Sequence, residues 1–505
     1  MAHVTLDPSD EAGWARLGSL GHAMLRDMFR HLQQVRRQPA FVPMPDAVRR
    51  RLRQLPLPRQ GSALEDVYAD FKRDVLPFGG GNLHPRFWGW VMGNGSPGGV
   101  LAEMLAATLN PNVWGGSHAA VEIEAQVIAW CRQLMGFPEA ATGLLTSGCS
   151  LANLIGLAAA RGRVLRAHGA LEDGVRGLPG EPRVYASVEA HNSLERAARL
   201  LGFGRSGLRT VPVGEDFRMD PAALRAQVVR DRAAGDVPIA VVATAGTVAT
   251  GAIDPLDAIA DVCAELGLWL HVDGAFGALA VLDPQTAPQL TGLTRADSLA
   301  FDFHKWLSVP YEAGCVLVRD GRDHRRPFES DTPYLTATAT GPGAGDTWYC
   351  DLGPELSRGF RGLKVWMTLR EHGVDTFRAL VQQSLGHARH LARCIDADPR
   401  LELLAPVGLN VVCFRYCGAP GADESALERV NQVALGELQT RGVAVPSHTR
   451  IDGRFAIRAA FVNHRTRLED IELFVDAFLR AVESAEADGA KACGTARGMR
   501  GGQTG

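Results

Sequence analysis

Between residues 85 and 375, short apolar runs alternate with stretches in which apolar residues recur every three to four positions. The apolar runs at 183–190, 239–245, 268–273, 298–303 and 314–318 predict strands, and the amphipathic segment 255–266 predicts a helix between two of them. The runs are apolar almost throughout, as a strand must be when both faces of its sheet are covered. The pattern therefore predicts an α/β domain with a mainly parallel sheet covered by helices. Ligands of such sheets bind beyond the carboxyl ends of the strands, so the residues that close each run become the ones to inspect.

Outside this interval the pattern changes. Residues 1–84 show helical spacing, with Trp14, Leu17, Leu20 and Met24 on one stripe and a second amphipathic stretch from Ala47 through Leu64 to Phe71, broken at Pro56 and Pro58. Such a helical arm has little core of its own and is expected to pack on the main domain or on a second subunit. Residues 376–484 predict a smaller α+β domain: a helix over 374–397, strands near 401–404, 409–416 and 455–460, and helices over 424–441 and 468–483. The Gly- and Ala-rich tail 485–505 predicts disorder.

Composition narrows the function classes. The chain has 505 residues, 46% hydrophobic and 22% charged, with a formal net charge of -3. That balance argues against a nucleic-acid or membrane-surface partner, and no apolar stretch reaches spanning length, so a small molecule is the expected partner. The nine cysteines form no C-x-x-C pair, and Cys413 and Cys417 sit four apart in a strand-like run, so the thiols read as structural and no metal is expected. The first ten residues lack the basic-then-apolar pattern of a secretory signal, which predicts a cytoplasmic protein.

Lysine usage points to chemistry. Only four lysines occur, Lys72, Lys305, Lys364 and Lys491, among 53 basic residues. Arginine keeps its proton at working pH, whereas a lysine amine can be neutralised and attack a carbonyl, so Lys305 in Asp302-Phe303-His304-Lys305 is a candidate Schiff-base residue. Asp273 closes the run 268–273, where a buried carboxylate needs a partner; a protonated ring nitrogen or an arginine would serve. Ser147-Gly148-Cys149-Ser150 precedes a helical run, and small residues there leave backbone N–H groups free for an anion. Cys149 and Ser150 are the candidate phosphate contacts, with an ordinary capped helix as the alternative. His191 follows the run 183–190 as a ring-stacking imidazole or a plain loop histidine. Thr244 and Thr247, beside Gly246, offer hydroxyls or simply turn residues. An amine for an aldehyde, an acid for a ring nitrogen, a stacking imidazole and a phosphate cradle are together the requirements of pyridoxal 5'-phosphate. A nicotinamide dehydrogenase is disfavoured, since no G-x-G-x-x-G follows an early strand.

The segments His-Pro-Arg-Phe-Trp-Gly-Trp (84–90), Ala-Ala-Val-Glu-Ile-Glu (119–124), Ser-Gly-Cys-Ser-Leu-Ala-Asn (147–153), Val-Glu-Ala-His-Asn-Ser (188–193), Val-Ala-Thr-Ala-Gly-Thr (242–247), His-Val-Asp-Gly-Ala-Phe (271–276) and Asp-Phe-His-Lys-Trp (302–306) carry a resemblance. In order and spacing they resemble the group II pyridoxal-phosphate-dependent amino acid decarboxylases, above all the aromatic-L-amino-acid type, over about residues 10–484. The resemblance implies the type I fold of pyridoxal-phosphate-dependent transferases and a homodimer with its N-terminal arm exchanged between subunits. It implies Lys305 as the Schiff-base lysine, Asp273 as partner of the pyridinium nitrogen, His191 stacked on the ring and Ala275 on the opposite ring face. Cys149, Ser150 and His304 match phosphate-binding positions, Thr244 lies near the ring hydroxyl, and Asp302 matches an acidic or amide position before the lysine. Tyr334, in the Gly-, Pro- and Thr-rich stretch 325–348, matches the loop tyrosine that protonates Cα once carbon dioxide has left.

The activity so implied is decarboxylation of an L-amino acid, aromatic side chains favoured, to the amine and carbon dioxide. The alternatives are an aldehyde synthase and a decarboxylase of acidic or other non-aromatic amino acids. They stay open because Asn112, His118 and Ser357 depart from the residues expected beside an aromatic substrate, Asn112 standing where an apolar pocket wall is expected. A non-catalytic relative is disfavoured by the retained set Lys305, Asp273, His191 and Tyr334.

Overall fold

In the computed structural model, which describes residues 4–329, 338–419 and 421–500 with side chains through Ala487, the apolar runs of the central interval become strands of one large sheet. In chain order the strands are β1 (Phe87–Trp88), β2 (Thr142–Thr146), β3 (Pro182–Ser187), β4 (Leu208–Val211), β5 (Val237–Thr244) and β6 (Trp269–Asp273). They continue as β7 (Ser298–Asp302), β8 (Gly314–Val318), β9 (Leu401–Leu403), β10 (Val411–Tyr416), β11 (Val445–Ile451) and β12 (Arg454–Ala460). The large sheet has the order β2-β8-β7-β6-β5-β3-β4. It is parallel from β7 to β4, while β8 runs antiparallel to both its neighbours.

Two-sided cover explains the continuous apolar runs. Leu145, Val241, Val272 and Phe301 belong to the core on one face, whereas Leu144, Val242 and Ala300 belong to the core on the other. Adjacent residues thus point to opposite faces, and both faces are dry. The first core packs against helices Ala119–Met135 and Leu256–Leu266, the second against Cys149–Ala167 and Ser193–Leu200. Each fully buried Val, Leu or Phe stabilises the fold by about 1.5–3 kcal/mol.

Two placements differ from the sequence expectation. The run expected at 183–190 stops at Ser187, because Ala190 N–H turns back to Ser187 O at 3.1 Å and Val188 is exposed. His191 therefore comes from the loop before helix Ser193–Leu200. β1 lies inside the interval 85–375 yet joins the small sheet, β1-β11-β12-β10-β9, with Phe87 opposite Val445. Burial decides this placement: Trp88 packs between Phe461 and Phe474, with ring centroids at 5.2 and 5.4 Å. The helix expected over 374–397 is present, as the second of two helices in the span Arg361–Ala397 that are divided at Gly373, whose φ of 73° interrupts the ladder.

The last helix carries helical backbone from Leu468 to Arg500, into the tail where disorder is predicted. Alanine, frequent from Ala485 to Ala496, has the highest helix propensity and offsets the glycines there. The N-terminal arm forms helices Glu11–Gln34, Asp46–Gln54 and Leu64–Asp74. The first of these is capped by Asp10 accepting from Gly13 N–H at 2.7 Å, yet buries none of its residues, and Trp14 stays 54% exposed. Among the described residues no helix is long and apolar enough to cross a membrane, and no group of His, Cys, Asp and Glu is placed to hold a metal ion.

Candidate active site

The carboxyl ends of β5, β6 and β7 and the start of helix Cys149–Ala167 enclose a cavity of about 700 Å³. Cys149, Ser150, His191, Thr244, Asp273, Ala275, Asp302, His304 and Lys305 all line it. Tyr334 lies outside the described residues.

At one end the chain leaves β2 through Ser147 and Gly148. Gly148 has φ 156° and ψ 175°, a region open in practice only to glycine, and a Cβ there would lie 3.3 Å from His304 Cε1. The helix then starts at Cys149. Its first internal bonds run from Leu151 and Ala152 N–H to Gly148 O, leaving the N–H groups of Cys149 and Ser150 without an acceptor in the helix. This end suits an anion. The Cys149 side chain turns away from that role: its Sγ sits 3.5 Å from Asp273 Oδ1, and burial, reinforced by the Asp273 charge, holds the thiol well above its ordinary range. Cys149 thus offers its backbone N–H and a neutral packing thiol. His304 closes the cradle with Nδ1 donating to Ala313 O at 2.9 Å, and burial lowers its proton affinity.

Across the cavity, Lys305 Nζ lies 2.8 Å from Asp302 Oδ2. Burial pulls the lysine down, but the Asp302 charge and hydrogen bond outweigh it, so Lys305 sits above its ordinary range as an ammonium. Asp273 Oδ2 accepts from Asn153 Nδ2 at 2.9 Å and Oδ1 from Ala275 N–H at 3.1 Å. His191 Nδ1 accepts from Ser193 N–H at 3.2 Å, which leaves Nε2 as the protonated nitrogen of a ring that burial keeps neutral. Thr247 does not line the cavity; its Oγ1 accepts from Ala252 N–H at 3.1 Å, so it is the turn residue of the two readings.

Among the described residues, two buried cavity-wall atoms, Thr244 Oγ1 and Asp302 Oδ1, find no hydrogen-bond partner. Such orphans are costly in a closed fold and mark where a polar ligand is received. With the anion-ready helix start at one end, an amine at the wall and Asp273 beside it, the residues fit pyridoxal 5'-phosphate.

The structure also adds and removes residues. Trp90, Val91, Leu151, Val248, Phe276, Tyr311 and Glu312 also line it, and of these Trp90, Leu151 and Phe276 lie in the motifs 84–90, 147–153 and 271–276, while Val91, Val248, Tyr311 and Glu312 lie outside every motif. Tyr311 reaches the cavity on the loop after Lys305; its ring stands 4.4 Å from His304 and its Oη accepts from Gly93 N–H at 2.9 Å. Asn112, His118 and Ser357 do not line the cavity formed by this chain. Asn112 Oδ1 instead accepts from the Arg358 backbone N–H at 2.8 Å, beside the fully buried ion pair of Arg358 with Glu124. Its polarity serves the backbone there, not a substrate-facing wall of this cavity.

Residues 45–417 match the pyridoxal-dependent decarboxylase conserved domain. The chain is 32% identical over 454 residues to the aromatic-L-amino-acid decarboxylase of Bacillus atrophaeus, covering 90% of this chain and 92% of the relative. It is 32% identical over 429 residues to the aromatic-L-amino-acid decarboxylase of Sus scrofa, covering 82% and 86%. The crystal structure of Oryza sativa TDC with PLP and tryptamine superposes with a TM-score of 0.87 at 28% identity, covering 95% of this chain and 99% of that one. The chain belongs to the pyridoxal-dependent decarboxylase family, enzymes that act on amino acids with pyridoxal 5'-phosphate, and it has their type I α/β fold.

Proposed function

We propose that the enzyme decarboxylates an L-amino acid, aromatic side chains favoured, to the amine and carbon dioxide, with Lys305 as the residue that carries the cofactor. The observation that carries this reading is the convergence of Lys305, Asp273 and the start of helix Cys149–Ala167 on one cavity. When bound, pyridoxal 5'-phosphate supplies an aldehyde that condenses with amines and a ring that takes up the electron pair of a broken Cα bond.

Each residue has a task in this scheme. The backbone N–H groups of Cys149 and Ser150, with His304, would hold the phosphate. Asp302 pairs with the Lys305 ammonium at 2.8 Å and is the nearest acceptor for the proton that Lys305 must release before its amine can react. Asp273 would hold a proton on the ring nitrogen, His191 and Ala275 would hold the ring between them, and Thr244 Oγ1 would receive the ring hydroxyl. For decarboxylation the site would have to orient the substrate so that the bond to its carboxylate breaks in preference to the Cα–H bond. Trp90, Val91, Leu151, Val248 and Phe276 give the outer cavity an apolar lining, and among the described residues no arginine lines it. An anionic side chain would enter such a site without a counter-charge, which supports aromatic over acidic substrates.

Tyr334 delivers the proton to Cα in this reading. One incubation in which amine, carbon dioxide, aldehyde and ammonia are all measured tests both points. The parent enzyme should turn over Tyr, Trp, Phe or dihydroxyphenylalanine to equal amounts of amine and carbon dioxide, and Glu or Asp at least roughly tenfold more slowly. In air, Tyr334→Phe should divert product toward aldehyde and ammonia, with dioxygen consumed as the two-electron oxidant and hydrogen peroxide formed; an unchanged amine yield removes the loop assignment.

A homodimer is part of the proposal. Trp14 and Leu17 of helix Glu11–Gln34 and the side chains Met104, Leu105 and Leu109 are exposed in the single chain, and a second subunit would cover them. Light scattering on the eluted protein should give twice the mass of one chain, and a single-chain mass would remove this element.

A further inference from the structure

Strand β6 alternates Trp269, His271 and Asp273 onto one face, which meets Asn153 and Gly156 of helix Cys149–Ala167. His271 is fully buried and has no task in the scheme above. Its Nε2 lies 2.9 Å from Asn153 Oδ1 and its Nδ1 2.7 Å from Ser298 Oγ. Asn153 Nδ2 lies 2.9 Å from Asp273 Oδ2, and Trp269 Nε1 lies 2.8 Å from Ser298 Oγ.

Chemistry sets the direction of every bond. A carboxylate only accepts, so the Asn153 amide presents its NH2 to Asp273 and its oxygen to His271. An amide oxygen only accepts, so His271 carries its proton on Nε2. Burial pushes His271 down to about 4, so the imidazole is neutral at pH 7 and its Nδ1 accepts. Ser298 therefore donates to Nδ1, while its oxygen accepts from the Trp269 N–H, which can only donate. All four bonds point toward Asp273, and bonds aligned in one direction polarise one another.

We propose that Trp269, Ser298, His271 and Asn153 form a one-way hydrogen-bond relay that orients Asp273 and stabilises its charge against the cofactor ring, with His271 as its central positioning residue. The proposal rests on the reading of Asp273 as partner of the ring nitrogen. Gly156 makes the relay possible: a Cβ there would lie 2.6 Å from His271 Cε1 and Nδ1 and 3.1 Å from Ser298 Oγ, so a larger residue would push the imidazole out of line. A merely structural His271 would need only its volume, whereas a relay needs both ring nitrogens.

The test compares holoenzymes of His271→Phe, which fills the space without either nitrogen, and His271→Gln, which keeps an N–H for Asn153. The readouts are kcat and KM separately, the rate of cofactor release on dilution, and the nitrogen-15 shift of ring-labelled pyridoxal 5'-phosphate. His271→Phe should lower kcat roughly tenfold, speed cofactor release by a similar factor and leave KM within about twofold. The ring-nitrogen shift should move toward the unprotonated value, and His271→Gln should recover most of each change. Ser298→Ala, a smaller perturbation, should shift the same readouts in the same direction and carries the test if His271→Phe does not fold. Unchanged kcat and ring-nitrogen shift in the folded variant overturn the relay. Asp273→Asn is the reference: if it too leaves shift and cofactor release unchanged, the reading of Asp273 itself has failed.

Discussion

Lys305→Ala should lower carbon dioxide release by roughly 10⁴-fold or more, and Lys305→Arg should lower it as far. The pair of variants separates covalent chemistry from charge. In the parent, Lys305 Nζ faces Asp302 Oδ2 at 2.8 Å, and Asp302 is buried with its other oxygen unpartnered. Alanine leaves that carboxylate without its cation, a loss of about 3–5 kcal/mol for a buried pair, so the melting temperature should fall as well. Arginine restores a positive charge opposite Asp302 but cannot shed a proton to become a nucleophile. If the lysine served only the ion pair, arginine would therefore return much of the activity. Borohydride reduction of the parent followed by peptide mapping should place the cofactor mass on the peptide containing Lys305, and neither variant should take it up. A label on another peptide, or parental turnover in the arginine variant, would remove Lys305 from its role.

The parts of the fold that were legible in the sequence are those with a local cause. β5, β6, β7 and β8 were readable within one or two residues, because a strand covered on both faces must be apolar throughout and is bounded by polar or small residues. The chemical groups were legible for the same reason: Thr244, Asp273 and Asp302 are the last residues of β5, β6 and β7, where the polar residue interrupts the apolar run. What stayed hidden depends on partners far along the chain. β1 is two residues long and exists through pairing with β11, and β2 holds a glycine at its second position, which lowers any strand signal. Asn112 looks from sequence like a change in the pocket wall, because nothing local announces that the Arg358 N–H binds its oxygen. His271 was visible in the motif 271–276 but had no task until Asn153 and Ser298 were seen on either side of it.

Asp273 carries the second large expected effect. It accepts from Asn153 Nδ2 at 2.9 Å and from Ala275 N–H at 3.1 Å, so among the described residues only neutral donors reach this buried carboxylate. A buried charge so placed calls for a cation, and in the proposed scheme that cation is the protonated ring nitrogen. Asp273→Asn keeps shape and volume but removes the charge, and it sets an amide NH2 against donors that previously faced an oxygen. The ring proton then loses its counter-charge at the step where the ring must accept an electron pair. Because this demand is greatest in the transition state, the loss should appear in kcat, by roughly 10³-fold, with KM little changed. Asp273→Glu, with the charge kept and displaced by one methylene, should retain more activity than asparagine. Cofactor retention on dilution should follow the same order, parent above glutamate above asparagine. An asparagine variant with parental kcat would mean that Asp273 serves packing alone, and the electron-accepting role would have to be sought elsewhere in the cavity.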